Sequence, residues 1–397
     1  MMSVWSSLVG QDAAVAKLSE AAASARAIVA SPGSGRATDE ARSMSHAWLI
    51  TGPPGSGRSV AARAFAAALQ CTGATPGCGQ CPGCRTTMGR TNADVLFAAT
   101  ETSIINVDTA RSLVLQAQSS PSQGLWRVIV VEDADRLGES GANALLKAIE
   151  EPPEHTVWLL CAPSPEDMIA TIRSRCRHLG LRIPTATAVA DLLVREGIAT
   201  PEVALEAARA AQSHIGLARA LARDPQMRER RRNIITAPAS VRSVGEAVMA
   251  ADRLLETAKA QADAQVSDRN AREKADLLRQ LGMEEGESAT KASRTMLRQL
   301  EEDQKRRSKR ALTDAIDRAL IDLLAIYRDV LMVQVGGDGG LINTDLSELV
   351  HQIAHDSTPH QTLARVDHIE TARKRLVANG NPLLVLEDMA ISLRPQA

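Results

Sequence analysis

Val128, Ile129, Val130 and Val131 are consecutive apolar residues, preceded by Arg127 and followed by Glu132 and Asp133. An uninterrupted apolar run is the pattern of a parallel strand covered on both faces. Runs at 47–51, 94–97, 127–132, 157–161 and 178–181 predict strands, and the stretches 58–70, 108–118, 139–150 and 166–173 between them predict helices. This alternation indicates an α/β domain with a mostly parallel sheet. The segment 31–45, rich in Gly, Ser and charge, is predicted to be a loop.

After Pro184 the strand signal disappears. Residues 185–222 read as a small helical unit with Pro184 and Pro201 as breakers, and Pro238 marks the next boundary. From Val241 onward the pattern is helical. Leu312, Ile316, Leu320, Leu323, Tyr327 and Leu331 recur every three or four positions, and Gly336, Gly337, Gly339 and Gly340 end that helix. The charged stretch 256–310 predicts a long exposed hairpin or coiled segment. The expected division is therefore an α/β domain over 1–182, a small helical domain over 183–240, and an all-α domain over 241–397 carrying that insertion.

Composition narrows the function. The chain has 397 residues, 46 Lys+Arg against 47 Asp+Glu, and a formal charge of −1. That balance argues against a protein that grips DNA alone by counterion release. Four Trp, one Tyr and two Phe are too few rings for a stacking platform on single strands. The clusters 228–232 and 305–310 are basic, but each sits among acids or on a helix and reads as a solvated face. No run of about 18 apolar residues predicts a membrane span. Residues 1–8 lack the basic segment and apolar core of an export signal. A cytoplasmic protein is expected.

Three clusters carry chemistry. Gly52-Pro53-Pro54-Gly55-Ser56-Gly57-Arg58-Ser59 lies between a predicted strand and an Ala-rich helix, the setting a phosphate-binding loop requires. Glycines let backbone N–H groups cradle phosphate oxygens, and the helix N-terminus adds its positive dipole end. Ser59 occupies the hydroxyl position for Mg²⁺. Position 58, where the pattern has Lys, is Arg, whose planar fork does not replace a compact ammonium. The plainer alternative is a Gly-rich turn without a ligand.

The second cluster is the apolar strand ending in Glu132 and Asp133. In a nucleotide hydrolase two acids at this place hold Mg²⁺ and orient the attacking water. Their usual order is Asp then Glu; here it is reversed, which shortens the acid that positions water. Alternatively the acids simply cap a buried strand. The third cluster is Cys71-x6-Cys78-x2-Cys81-x2-Cys84, four thiols within 14 residues. Four thiolates suit tetrahedral Zn²⁺ and leave no open position for a substrate. The competing reading, a redox dithiol, needs one pair and not four ligands. Cys161 and Cys176 lie outside the cluster and read as ordinary buried residues.

Together these residues resemble the bacterial clamp-loader subunits of the AAA+ superfamily. The resemblance rests on Val9-Gly10-Gln11, the phosphate loop, the four-cysteine insertion after the loop's helix, the stretch 143–155 (Asn-Ala-Leu-Leu-Lys-Ala-Ile-Glu-Glu-Pro-Pro-Glu-His) and Ser174-Arg175-Cys176. It covers the first 180 or so residues by motif and the remainder by architecture. It implies an AAA+ domain with a structural Zn²⁺, a helical lid and a helical collar within a five-subunit ring. The ring's partners would be motor ATPase subunits, the delta subunit, the sliding clamp and primed DNA. The loop with Gly52, Gly55, Gly57, Arg58 and Ser59, the acids Glu132 and Asp133, and Arg219 of the lid would form a nucleotide site, with ATP or ADP and Mg²⁺ its candidate ligands. Arg58, the reversed acids and Ala162 in the sensor strand depart from the motor pattern. They favour a largely non-hydrolysing stator over an ATP-hydrolysing motor. Arg175 would then be the arginine finger placed in a neighbour's site, a contribution on the order of 10³-fold or more in related NTPases. The four-cysteine insertion disfavours a helicase-type AAA+ protein.

Overall fold

A computed structural model describes residues 3–30, 43–98, 105–281 and 291–394. Most of the predicted loop 31–45 falls outside these residues. The chain divides into two compact units, Met1–Ala222 and Arg223–Ala397.

The first unit holds a parallel sheet of β1 (Ala47–Thr51), β2 (Val95–Ala98), β3 (Arg127–Val131), β4 (Thr156–Ala162) and β5 (Arg177–Gly180), in the order β2-β3-β4-β1-β5. Its helices are α1 (Asp12–Ala30), α2 (Arg58–Leu69), α3 (Pro82–Met88), α4 (Val107–Ala117), α5 (Glu139–Glu150), α6 (Ala170–Arg173), α7 (Ala186–Arg195), α8 (Pro201–Ala210) and α9 (Ile215–Arg223). The apolar run of β3 is explained by two cores. Val128 and Val130 join Leu18, Trp48, Phe65 and Leu159 on one face, while Ile129 and Val131 join Leu145, Ile149, Trp158 and Leu160 on the other. Successive strand side chains alternate faces, so a strand covered twice needs apolar residues at every position. Trp48 meets Phe65 edge-on at 5.2 Å between ring centroids.

Observed strands agree with the predicted ones to within a residue or so. The predicted helix 166–173 is instead a 3-10 turn at Pro165–Asp167 followed by the single-turn α6. Asp167 Oδ2 accepts from Ser164 N at 2.9 Å and closes the turn locally.

The second unit is helical: α10 (Pro225–Ser240), α11 (Val244–Leu281), α12 (Lys291–Gln334), α13 (Ser347–His355), α14 (Pro359–Val377) and α15 (Pro382–Ser392). Pro238, expected at a boundary, lies inside the last turn of α10. This helix packs on α11 and α12, within the second unit. The predicted apolar stripe of α12 enters the core through Ile316, Leu320, Leu323 and Tyr327. Helices α11 and α12 pair along the charged stretch through Ala262, Val266 and Ala311. Beyond them Arg307 bonds Asn270 Oδ1 and Glu273 Oε2, each at 2.8 Å.

Arg231 corrects the solvated-face reading of 228–232. Its side chain is 9% exposed and donates to Asp322 Oδ1 at 3.0 Å and Asn343 Oδ1 at 2.6 Å. Asn343 in turn donates Nδ2 to Asp329 Oδ2 at 3.0 Å, so the buried charge is paired with a carboxylate and tied into a polar network. No described helix is long and apolar enough to cross a membrane.

Candidate nucleotide site, interface arginine and thiol cluster

Strand β1 runs directly into the loop 52–57, and α2 begins at Arg58. Gly55 and Gly57 have φ of +90° and +91°, a region that a Cβ makes costly. A Cβ on Gly55 would also lie 2.9 Å from His214 Cα, so the start of α9 presses on the loop's tip. Gln11, buried, donates Nε2 to Ser56 O at 3.2 Å and to Arg182 O at 2.5 Å. Gly52 N donates to Pro163 O at 3.1 Å, tying the loop to the end of β4.

Two polar atoms of the loop region, Ser56 Oγ and Arg58 Nη1, are buried and make no hydrogen bond. Buried polar groups are ordinarily satisfied. An unpartnered guanidinium nitrogen beside a glycine-lined loop and a helix N-terminus is what a phosphate oxygen would complete. The residues present therefore fit a phosphate group. Ser59 opens the same helix.

The acids predicted beside the loop are differently placed. Glu132, at the end of β3, is engaged by Arg90 in an ion pair, its side chain 13% exposed. Arg90 has φ of +58° and lies 4.9 Å over the ring of Phe97. Asp133 precedes a 3-10 turn, Ala134–Arg136. Burial pushes the Asp135 carboxyl above its ordinary range; the charge of Asp133 adds to this, and Arg136 and Arg58 work against it. At the end of β4, Cys161 is fully buried and its thiol is pushed up to about 12 by burial. Ala162 has no hydroxyl to offer.

Arg219 of α9 points its fork at Glu196, at 2.8 Å from Nε and 2.6 Å from Nη2. Arg63 on α2 is pushed down by burial and by the charge of Arg90, with Glu132 opposing and Arg219 adding. The charges of Arg90, Glu132 and Arg219 thus all act on Arg63.

Arg175 stands elsewhere. Strands β1 and β5 pair in parallel from Trp48 opposite Arg177 to Thr51 opposite Gly180. The loop leaves the C-terminal end of β1, whereas Arg175 precedes the N-terminal end of β5. Three rises of about 3.3 Å from the first to the last of the four paired residues separate the two ends by about 10 Å. Arg175 donates Nη1 to Thr171 O at 2.8 Å and pairs through Nε with Glu150. It remains 39% exposed.

The four cysteines converge. Their Sγ atoms all lie within 4.8 Å of one another, and Cys71 and Cys81 are 3.8 Å apart. A tetrahedron of sulfurs about 2.3 Å from a central Zn²⁺ has edges of about 3.8 Å, so the donor set fits. Burial raises the Cys71 and Cys81 thiols, but hydrogen bonds from backbone and neighbouring thiols outweigh it. Cys71 is lowered, Cys81 is lowered to about 6, and Cys84 is raised by burial. Arg26 of α1 clamps the segment, donating to the carbonyls of Cys71, Gly73 and Ala74 at 2.8 Å each.

Sequence reasoning did not single out Arg26, Arg63, Arg90, Glu196 or His214. None lies in a motif, and Arg90 and Glu132 are 42 positions apart. Only folding brings such pairs together.

Residues 37–185 match the family described as DNA polymerase III, delta subunit. The chain is 35% identical over 165 residues to the DNA polymerase III subunit delta' of Pseudomonas aeruginosa, which is 41% of this chain and 50% of that one. It is 34% identical over 180 residues to subunit delta' of Escherichia coli, covering 44% of this chain and 54% of that one. It is also 36% identical over 162 residues to subunit gamma/tau of Mycobacterium tuberculosis, covering 39% and 28%. The chain therefore spans about half or less of each relative. Identity alone does not separate the delta' from the gamma/tau kind, because the values are so close.

Proposed function

We propose that this chain, similar over residues 37–185 to the delta family of DNA polymerase III, is a delta'-type stator of a clamp loader with little hydrolysis of its own. Residues 183–222 would act as lid and the second unit as collar. The reading is carried by one observation: Glu132, the acid that a working site would use for Mg²⁺, is already engaged by Arg90. The Arg at position 58 and the missing hydroxyl at Ala162 agree with it. ATP or ADP would be held by the backbone of the loop 52–57, by Arg58 and by Ser59, with Arg219 reaching it only after leaving Glu196. The bound nucleotide would supply an ordered site and not turnover.

Arg175 is the catalytic contribution of this reading. It lies at the opposite end of the sheet from its own loop, so a phosphoryl group within its reach belongs to another subunit. Its guanidinium would stabilise charge developing on that group, and Glu150 positions it meanwhile. The partners would be gamma/tau ATPase and delta subunits in a five-subunit ring, with the sliding clamp and primed DNA engaged by the assembly. The thiol cluster would hold a structural Zn²⁺, which would cross-link its short loops.

A motor of the gamma/tau kind is the second reading, favoured by the 36% identity to that subunit. One pair of measurements separates them. Under the stator reading, the chain alone hydrolyses ATP far more slowly than the reconstituted ring, and Arg175→Ala lowers the ring's DNA-stimulated rate on the order of 10³-fold at one neighbouring site while assembly persists. Turnover by the isolated chain at the ring's rate would sink the stator reading; an unaltered ring rate in Arg175→Ala would remove the finger.

A further inference from the structure

The helical second unit carries a cavity of about 510 Å³, open on one side and lined by residues of α10, α12, α13 and α14. Arg365 lines it and is 7% exposed, with its guanidinium 5.8 Å from the ring centroid of Tyr327, itself 4% exposed. Among the described residues no carboxylate lies within ion-pair distance of Arg365, and neither the guanidinium nor the Tyr327 hydroxyl makes a hydrogen bond. Arg231 gives the contrast. It is equally buried in the same unit, yet it has Asp322 and Asn343 as acceptors. The guanidinium of Arg365 has no protein acceptor and meets solvent only through this cavity, so an anion entering there would find its donors free.

The cavity wall carries further positive charge. Arg232 and Arg242 line it, and Asp356 is its one acid. The carboxylate of Asp345 lies 3.9 Å from Arg232. Burial pushes the Tyr327 phenol up to about 12, with Arg365 working against it, so the hydroxyl stays a donor at neutral pH. The remaining wall is apolar, with Leu349, Ile353 and Leu393. A cavity of this volume falls in the range of small-ligand sites.

We infer that this cavity binds a small phosphorylated solute, its phosphate held by Arg365, Arg242 and the Tyr327 hydroxyl and its less polar part resting on Leu349, Ile353 and Leu393. Arginine forks match phosphate oxygens in pairs, and with Asp345 set against Arg232 the three guanidiniums still exceed the two carboxylates by one positive charge, which a phosphate can neutralise. A small solute is favoured over a partner protein's acidic surface because Arg365 and Tyr327 are reached only by a group that enters the cavity. The site lies wholly in the second unit and does not depend on the nucleotide site of the first.

The test is isothermal titration of inorganic pyrophosphate into the full chain at low salt. The background is Arg58→Ala, which weakens phosphate binding at the loop of the first unit, and sensitivity to Arg365 and Arg242 assigns the remaining binding to the cavity. The expected result is saturable one-to-one binding, weakened at least about tenfold by Arg365→Gln. Arg242→Ala, an exposed position whose loss leaves the core intact, should weaken it at least about threefold and decides the matter if Arg365→Gln unfolds early. Absence of binding, or affinity unchanged in both variants, overturns the inference. Binding of a hexaglutamate peptide without any of pyrophosphate overturns it too, in favour of an acidic partner.

Discussion

Replacing Arg90 tests the nucleotide-site reading at its most specific contact. Arg90→Ala deletes the ion pair to Glu132 and frees the acid for a metal ion. The pair joins a side chain 43% exposed to one 13% exposed. Such a half-buried pair contributes about 1–2 kcal/mol, above the surface median and below a fully buried pair. Removing that competition should tighten Mg²⁺-dependent nucleotide binding by about 5- to 30-fold. A backbone control is available, because Arg90 has φ of +58°. Arg90→Gly frees Glu132 equally but relieves the left-handed strain, so it should be about 1 kcal/mol more stable than Arg90→Ala. The assay is fluorescence titration of a labelled ATP analogue with and without Mg²⁺, beside urea unfolding of both variants. Equal gains in Mg²⁺-dependent affinity, with different stabilities, assign the effect to Glu132. Hydrolysis should stay negligible in both, since Arg58 and Ala162 are untouched. Affinity that ignores Arg90 in both variants would refute the argument that this ion pair occupies the metal position.

Protein purified without chelator should carry one zinc per chain by elemental analysis, and Cys81→Ser should lose it together with several degrees of Tm; a metal content well below one removes the site. Asp94 offers a pH test. Burial raises its carboxyl, but N–H groups of Ser122, Gln123 and Gly124 and the Ser122 hydroxyl outweigh this and hold it below the ordinary range. A carboxylate whose pKa is lower when folded contributes stability that is complete above about pH 3.9 and is lost as pH falls through the folded value. Asp94→Asn should therefore cost about 2–4 kcal/mol at pH 7, where the amide nitrogen faces two donors, and less below pH 4; parallel pH profiles for the two proteins would contradict the assignment.

The local elements of this protein were legible in its sequence because their causes are local. A strand covered on both faces must be apolar at successive positions, which marked β3, and a tight strand-to-helix turn with positive φ needs Gly, which marked 52–59 as a candidate phosphate loop. The cysteines' short spacing likewise predicted their convergence. Tertiary structure alone decided what each charge meets. Arg231 looked like part of a solvated face, and only the packing of α10 on α12 brings it to Asp322, 91 positions away. Arg90 and Glu132, or Arg219 and Glu196, carry no sequence signal because a side chain's partner is set by where the sheet and helices place it. The parallel pairing of β1 and β5 also puts Arg175 and the loop 52–57 at opposite ends of neighbouring strands, a separation that the tripeptide Ser-Arg-Cys does not record. Periodicity records which face of an element is covered; it does not record which distant group will lie across from a polar one.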